Sequence, residues 1–363
     1  MPQDLGDNKI DPRRMARISS ERASQLSRHH LQVGDIVYSR RGDVTRRALV
    51  RDYDAEMICG TGCLRVRVDP SKADSRYVSY ALGTPTAKEW IVRHAVGATM
   101  ANLNTNILSA LPLELPDLPE QRRVAKVLEA LDEKIAANRR IINGGLSLMD
   151  AVYSQIDKTR SSKTFSDVAS LGGGGTPSTK DEALWDGELR WATPTDVTGL
   201  DGPWLLSTER RISRLGLEKI TSKMYPRGSI LMSSRASIGY YALAAEPTAV
   251  NQGFIVVNAK VDQVPQSWLF AQLRSRTSEF IAWANGATFL ELPKGIFRSL
   301  CVDLPEPAQL AAFDCFADPL LRRLEAAQNE NNRLANARDE FLPHLMTGRI
   351  TVMDGEERVE QEA

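Results

Sequence analysis

Apolar residues recur at seven-residue spacing along two stretches of the chain. In the first, Leu128, Ile135, Ile142, Met149 and Ile156 hold one position of the repeat, and Val124, Leu131, Asn138, Gly145 and Val152 hold the other. In the second, Leu310, Ala317, Leu324, Asn331, Arg338 and Leu345 alternate with Phe313, Leu320, Ala327, Leu334 and Phe341. A heptad sustained this long predicts a coiled-coil helix in each stretch. The first helix is expected over 119–159, opened by Pro116–Glu120, because proline suits a first turn and glutamate the positive end of the helix dipole. Gly144 and Gly145 cost it about 1 kcal/mol each, and predict a kink or the close approach of another backbone. The second helical region is expected over 306–350. There Pro319 predicts a short helix, a break and a long helix from Asp318 to Met346, stopped across Pro343–Gly348 with Gly348 as the cap. Asn138 and Asn331 each place one polar group in an apolar seam, which can fix the register of paired helices.

Between these rods the periodicity changes. Asp35–Ser39 and Cys63–Val68 have the β-branched content of strands, and Tyr77–Arg93 reads as helix interrupted at Gly83–Pro85. A later segment repeats this order, with strands at Ser229–Met232 and Phe254–Val257 and a helix over Gln266–Asn285. The two segments are also similar in sequence. At one offset Gly34 falls on Gly228, Ile36 on Ile230, Arg41 on Arg235, Val44 on Ile238, Ala48 on Ala242 and Leu49 on Leu243. After a few residues of drift, Gly97-Ala98-Thr99 falls on Gly286-Ala287-Thr288 and Leu115-Pro116 on Leu304-Pro305. A repeat of roughly 190 residues is a duplicated domain rather than a solenoid. The expected organisation is α+β, with similar domains at 1–118 and 160–305, each followed by a rod. The two rods are expected to pair antiparallel about an approximate twofold axis. The acidic stretch 351–363 is expected to be disordered.

Composition adds mostly exclusions. No apolar run is long enough to span a membrane, and the N-terminus has no signal-peptide pattern. Cys59, Cys63, Cys301 and Cys315 lack paired CxxC spacing, so a reduced, cytoplasmic setting and no metal site are expected. Lysine and arginine number 17 against 14 acids in residues 1–118 and 16 against 14 in 160–305, but 6 against 12 in 306–363. That balance permits a nucleic-acid partner without demanding one. The run Gly172–Gly175 fails the spacing of a phosphate-binding loop, and GxSxG and HExxH are absent. No glycine-rich methyl-donor loop or Asn/Asp-Pro-Pro-aromatic tetrapeptide occurs. The chain is therefore expected to catalyse nothing by itself.

Residues suited to DNA occur in matching places. Arg40-Arg41 and Arg46-Arg47 flank the Gly42-Asp43 turn after a strand, and Ser233-Ser234-Arg235 holds that place in the second copy. Arginine addresses guanine edges, serine and arginine hold phosphates, and asparagine pairs with adenine. Asn102, Asn104 and the rough second-copy counterpart Lys294 are further candidates, as are Thr176, Ser178 and Lys180 in a polar, turn-rich stretch. For each, a solvated turn or a helix cap is the competing reading.

Three stretches carry a resemblance: GGTPSTKDEALWDGELRWATPTDV (Gly174–Val197), LPDLPEQRRVAKVLEALDEKIAANRRI (Leu115–Ile141) and FLPHLMTGRI (Phe341–Ile350). With the repeat, they make the chain resemble the DNA-specificity subunit of type I restriction–modification systems. The resemblance implies two target-recognition domains, each reading one half of a split, asymmetric double-stranded DNA site. It implies antiparallel helices that act as a ruler and dock two methyltransferase subunits, with restriction/translocase subunits joining the complex. S-adenosylmethionine, ATP and Mg would belong to those partners, with no cofactor in this chain. A helix of about 26 residues spans roughly 39 Å, close to the roughly 34–36 Å of one DNA turn. Arg139 and Arg140 are the candidate docking residues on the first rod. One departure stands out: Pro2-Gln3-Asp4-Leu5 aligns with Pro194-Thr195-Asp196-Val197, and the GGTPS stretch, Trp185 and Trp191 have no counterpart before it. This predicts that the chain begins inside its first recognition domain. The competing readings are a coiled-coil scaffold without DNA specificity and a truncated, inactive specificity subunit.

Overall fold

The computed structural model describes residues 1–12, 15–54, 56–97, 101–260, 264–286 and 290–346. They form two compact units, Met1–Ile135 with Asn332–Ala363, and Ala136–Asn331. The first part of the chain contains β1 (Asp7–Asn8), α1 (Ser20–Gln25), β2 (Ile36–Ser39), β3 (Arg47–Leu49), β4 (Cys63–Val66), α2 (Ser75–Ala81), α3 (Pro85–His94) and α4 (Thr105–Ser109). The long helix α5 (Leu118–Gln155) follows. Then come β5 (Thr159–Thr164), α6 (Phe165–Val168), β6 (Ala169–Gly172), β7 (Trp185–Ala192), α7 (Pro194–Thr198), β8 (Trp204–Leu205), β9 (Arg210–Ile212) and α8 (Arg214–Glu218). The rest is β10 (Ile230–Ser233), β11 (Tyr241–Ala244), β12 (Thr248–Val250), β13 (Phe254–Ala259), α9 (Gln266–Ser275), α10 (Thr277–Ala282), α11 (Lys294–Ser299), β14 (Cys301–Leu304) and α12 (Pro307–Met346).

The duplication is visible in the strand pairing. The first unit has a sheet of order β1-β3-β2-β4, and the second a sheet of order β6-β13-β10-β11-β8. In both, a short strand runs parallel to its neighbour (β1 to β3, β8 to β11), and the central strand is antiparallel to both of its neighbours. β2 (IVYS) and β10 (ILMS) are buried throughout, which is why both read as uninterrupted apolar runs. A glycine with positive φ precedes each central strand: Gly34 donates its N–H to the Val50 carbonyl at 2.9 Å, and Gly228 to that of Ala244 at 2.8 Å. The left-handed backbone there explains why glycine recurs at this place. The second unit adds β6 at the sheet edge, a sheet of order β12-β7-β9 and the pair β14-β5. β4, the counterpart of β13, is an edge strand among the described residues.

Even the short first segment repeats a local device. Asp196 caps α7 by accepting the N–H and hydroxyl of Thr193, both at 2.7 Å. Asp4 accepts the N-terminal ammonium at 2.7 Å, and Leu5 is buried as Val197 is.

Each unit packs one half of α5 against one half of α12. In the first unit Val124, Ala125 and Leu128 meet Ala337, Phe341, Leu342 and Leu345, while Leu131 and Ile135 meet Leu334. In the second, Met149 and Tyr153 share a cluster with Phe313, Ala317 and Leu321. Rising numbers on one helix meet falling numbers on the other, so the pairing is antiparallel.

Several expectations need correction. α12 is continuous through Pro319. That residue is exposed, so the carbonyl it leaves unbonded can turn to water, while Phe313, Ala317, Leu321 and Leu324 anchor the helix on either side. α5 likewise runs through Gly144-Gly145 without a break. A Cβ on Gly145 would stand 2.7 Å from a Leu324 methyl, so the neighbour that crowds this glycine is a side chain rather than a backbone. Gln266–Asn285 is two helices, α9 and α10, divided at Arg276. The Ala98-Thr99 and Ala287-Thr288 part of the repeat, Gly348 and the stretch 351–363 lie outside the described residues.

Candidate nucleic-acid interface

The candidate residues gather where the central strands end. In the second unit β10 ends at Ser233 opposite Phe254, and β6 ends at Gly172 opposite Val256, so the segments after β6 and β10 and before β13 leave one sheet edge. Leu292 joins them, donating its N–H to the Ser234 carbonyl at 2.8 Å. Around this edge lies an open hollow of about 440 Å³, whose lining includes Gly173, Lys223, Gln252, Glu291 and Lys294.

Burial sorts the Ser233-Ser234-Arg235 trio. Ser233 and Ser234 are 0% and 3% exposed. The Ser233 hydroxyl accepts the Tyr240 N–H at 3.0 Å and donates to the Ser237 carbonyl, and that of Ser234 donates to the Gly253 carbonyl at 3.2 Å. Both hydroxyls are hydrogen-bonded within the turn, and Ser234 also lines the hollow. Arg235 points outward, with its guanidinium 3.6 Å from the Glu291 carboxylate. Lys294 opens α11 at the hollow. Partial burial, and then the nearby Arg298, hold its pKa below the ordinary lysine value.

The glycine run packs against other groups. Gly173 donates its N–H to the Tyr225 hydroxyl at 2.7 Å, which in turn donates to the Gly173 carbonyl at 2.5 Å. Burial raises the Tyr225 pKa and keeps that phenol protonated. A Cβ on Gly172 would fall on the Tyr225 ring, and one on Gly174 on the Val250 carbonyl. The indoles of Trp191 and Trp185 then staple the loop, donating to the carbonyls of Gly175 at 3.0 Å and Ser178 at 2.9 Å. Thr176 donates to the Gln252 side-chain carbonyl at 2.6 Å, beside the hollow. Ser178 and Lys180 are exposed further along the loop and do not line it.

The first unit builds the same edge. Arg40 donates its N–H to the Gly62 carbonyl at 2.9 Å and its carbonyl accepts the Leu103 N–H at 2.8 Å, as Ser234 does with Gly253 and Leu292. Arg41 stands opposite Asn102, which also bridges Val96. In the second unit Arg235 stands opposite Glu291, which also bridges Asn285. Arg41 is exposed, Arg40 is partly buried, and Arg46 is paired with Asp43 at 3.2 Å. The Thr45 hydroxyl, with help from Arg46, holds the Asp43 carboxyl below the usual carboxylate range. Arg47 is a correction: it lies in β3, which is buried throughout, is 3% exposed, and donates from Nε to the Ser79 carbonyl at 2.6 Å. Asn104 caps α4, accepting the Ile107 N–H at 2.8 Å.

In the helix pair of the second unit, Asn138 donates from its side-chain amide to Glu330 at 2.7 Å. The Asn331 side-chain oxygen is buried without a hydrogen-bond partner. Arg139 is held by Asp201 at 2.6 Å, whereas Ile141 and Leu148, one heptad apart on α5, are large apolar residues left exposed. Sequence reasoning missed Glu291, Gln252, Lys223 and Tyr225. Glu291 was within reach, since the offset that lays Gly97 on Gly286 also lays Asn102 on Glu291.

Comparison with known proteins agrees with this architecture. The family profile described as type I restriction modification DNA specificity domain matches residues 24–144 and 158–330. The chain belongs to that family. It is 32% identical over 181 residues to the type I restriction enzyme MjaIX specificity subunit of Methanocaldococcus jannaschii, covering 48% of this chain and 41% of that protein. It thus spans less than half of that relative's length. To the putative type I restriction enzyme MjaX specificity subunit of the same organism it is 20% identical, over 96% of this chain and 86% of that protein. The crystal structure of a type I restriction-modification S subunit from M. genitalium shares the fold, with a TM-score of 0.54 and 17% identity over 86% of this chain and 82% of that one. Among the described residues no helix is long and apolar enough to cross a membrane.

Proposed function

We propose that this chain is the DNA-reading specificity subunit of a type I restriction–modification complex, each unit addressing one half of a split, asymmetric double-stranded site. The observation that carries this reading is the duplicated sheet edge. Both units set an outward arginine, Arg41 or Arg235, beside a polar residue on a backbone-paired loop. Loops on a rigid scaffold suit base contacts, and arginine suits guanine. The same edge in two linked units fits a target with two halves. In this reading Lys294, Arg46, Lys180 and Thr176 serve the phosphates, and Asn102 and Asn104 lie close to the bases.

Catalysis falls to partners in this reading. Two methyltransferase subunits would bring S-adenosylmethionine, and restriction/translocase subunits ATP and Mg. The exposed pair Ile141 and Leu148 supports docking along α5. The test is a methylome. The chain is co-expressed with its methyltransferase subunit in a methylation-free host, and modified bases are mapped by long-read sequencing. A split motif with a fixed spacer is the expected result, and the absence of any motif overturns the reading.

A further inference from the structure

Arg235 and Glu291 occupy a place that the duplicated domain has built twice. Glu291 exchanges backbone hydrogen bonds with Asn285 at 2.8 and 2.9 Å. Ala236 donates its N–H to the Leu290 carbonyl and Leu292 to that of Ser234, both at 2.8 Å. Three short segments are thereby locked side by side, with Ser234 and Leu292 turned inward at 3% and 1% exposure. Arg235 and Glu291 are turned outward, each 49% exposed, from a backbone that cannot easily move. The first unit repeats the ladder with Arg41, Asn102 and Val96. The arginine is kept between the copies and the residue opposite it differs.

A carboxylate on a surface that meets DNA is repelled by phosphates, so its presence calls for a donor that it can accept from. The major-groove edge of a G·C pair offers guanine O6 and N7 as acceptors and the cytosine N4 amine as a donor. O6 and N4 are themselves hydrogen-bonded, at roughly 3 Å. The Arg235 and Glu291 groups stand 3.6 Å apart, a donor beside an acceptor. An A·T pair also offers one donor and one acceptor side by side there, but it lacks the two adjacent purine acceptors that an arginine fork spans.

We propose that Arg235 and Glu291 read one G·C base pair together, arginine on guanine and glutamate on the cytosine amine, and that the residue opposite the arginine sets what each unit accepts. This rests on the DNA-reading function proposed above. The test compares methylomes of the full chain, co-expressed with its methyltransferase subunit, for wild type, Arg235→Ala, Glu291→Ala and Glu291→Gln. Both alanine substitutions should broaden one and the same G·C position of the motif, with methylation of sites carrying another base there rising about tenfold or more. The other half-site should stay unchanged. Glu291→Gln, which keeps size and solubility, should admit adenine at that position, because glutamine pairs with adenine N6 and N7. It decides the matter if the alanine variant accumulates poorly. Methylation by the Glu291 variants at an unaltered motif sinks the pairing alone, as do Arg235 and Glu291 effects at different positions. A wild-type complex that marks no split motif removes the underlying function, and the proposal with it.

Discussion

At the residue scale, Arg41 and Arg47 show where the sequence was legible and where it was not. Both sit beside the same turn and read alike as basic loop residues. Strand membership decides between them: β3 is buried throughout and begins at Arg47, which it sets against the Ser79 carbonyl, while Arg41 stays exposed outside the strands. Nothing in the local composition marks that register. The glycine run posed the opposite problem, since its spacing excluded a phosphate loop without supplying another use. Its use is steric, and that yields a prediction. Gly174→Ala would drive a Cβ into the Val250 carbonyl. Backbone cannot yield as a side-chain tip does, so the cost should be about 1–3 kcal/mol, visible as a Tm lower by several degrees. An unchanged melting curve would mean that the loop is less tightly seated than described.

At the element scale, the heptads were the clearest signal, because an apolar seam needs only one partner surface to persist over many turns. The interruption at Pro319 was misread because sequence alone does not show which face proline occupies. On the exposed face of α12 it weakens the helix without ending it. Pro319→Ala should therefore stabilise the protein by about 1–3 kcal/mol, a rise in denaturation midpoint measured by circular dichroism. The short parallel strands β1 and β8 left no periodicity to read, since two residues carry no alternation. On the outward face of α5, Arg139 is paired with Asp201, while Arg140 is exposed. The exposed Ile141 and Leu148 are the better candidates for partner contact. Ile141→Asp combined with Leu148→Asp should abolish co-purification with a methyltransferase subunit and leave the melting temperature within a few degrees. Retained co-purification would move the docking surface elsewhere.

At the scale of the whole molecule, a formal net charge of zero conceals the division of labour, because acidic residues concentrate after residue 306. Affinity for DNA should then come from a few placed cations and not from bulk charge. For about four phosphate contacts, the logarithm of the binding constant should fall with that of salt at a slope near −4. A fluorescence-anisotropy titration of the assembled complex measures this, and a flat response would favour the scaffold reading. Repeat, rods and fold class were all legible in the chain, because each is written over many residues. The candidate interface positions were only partly legible, because they depend on which loop residues a sheet edge turns outward.

The division of the long helices between two units has a bearing on biosynthesis. Ala136–Asn331 is one uninterrupted stretch, whereas the other unit needs Asn332 onward to complete it. Arg338 must find Asp132 across a sequence separation of 206. Closing so long a loop is slow, and its contacts form only once both ends exist. The contacts between residues 1–135 and 332–346 therefore depend on chain made after Ala136–Asn331. The middle of the chain can mature while the earliest residues wait, with Val124, Leu128 and Leu131 still uncovered, for the last helix to emerge.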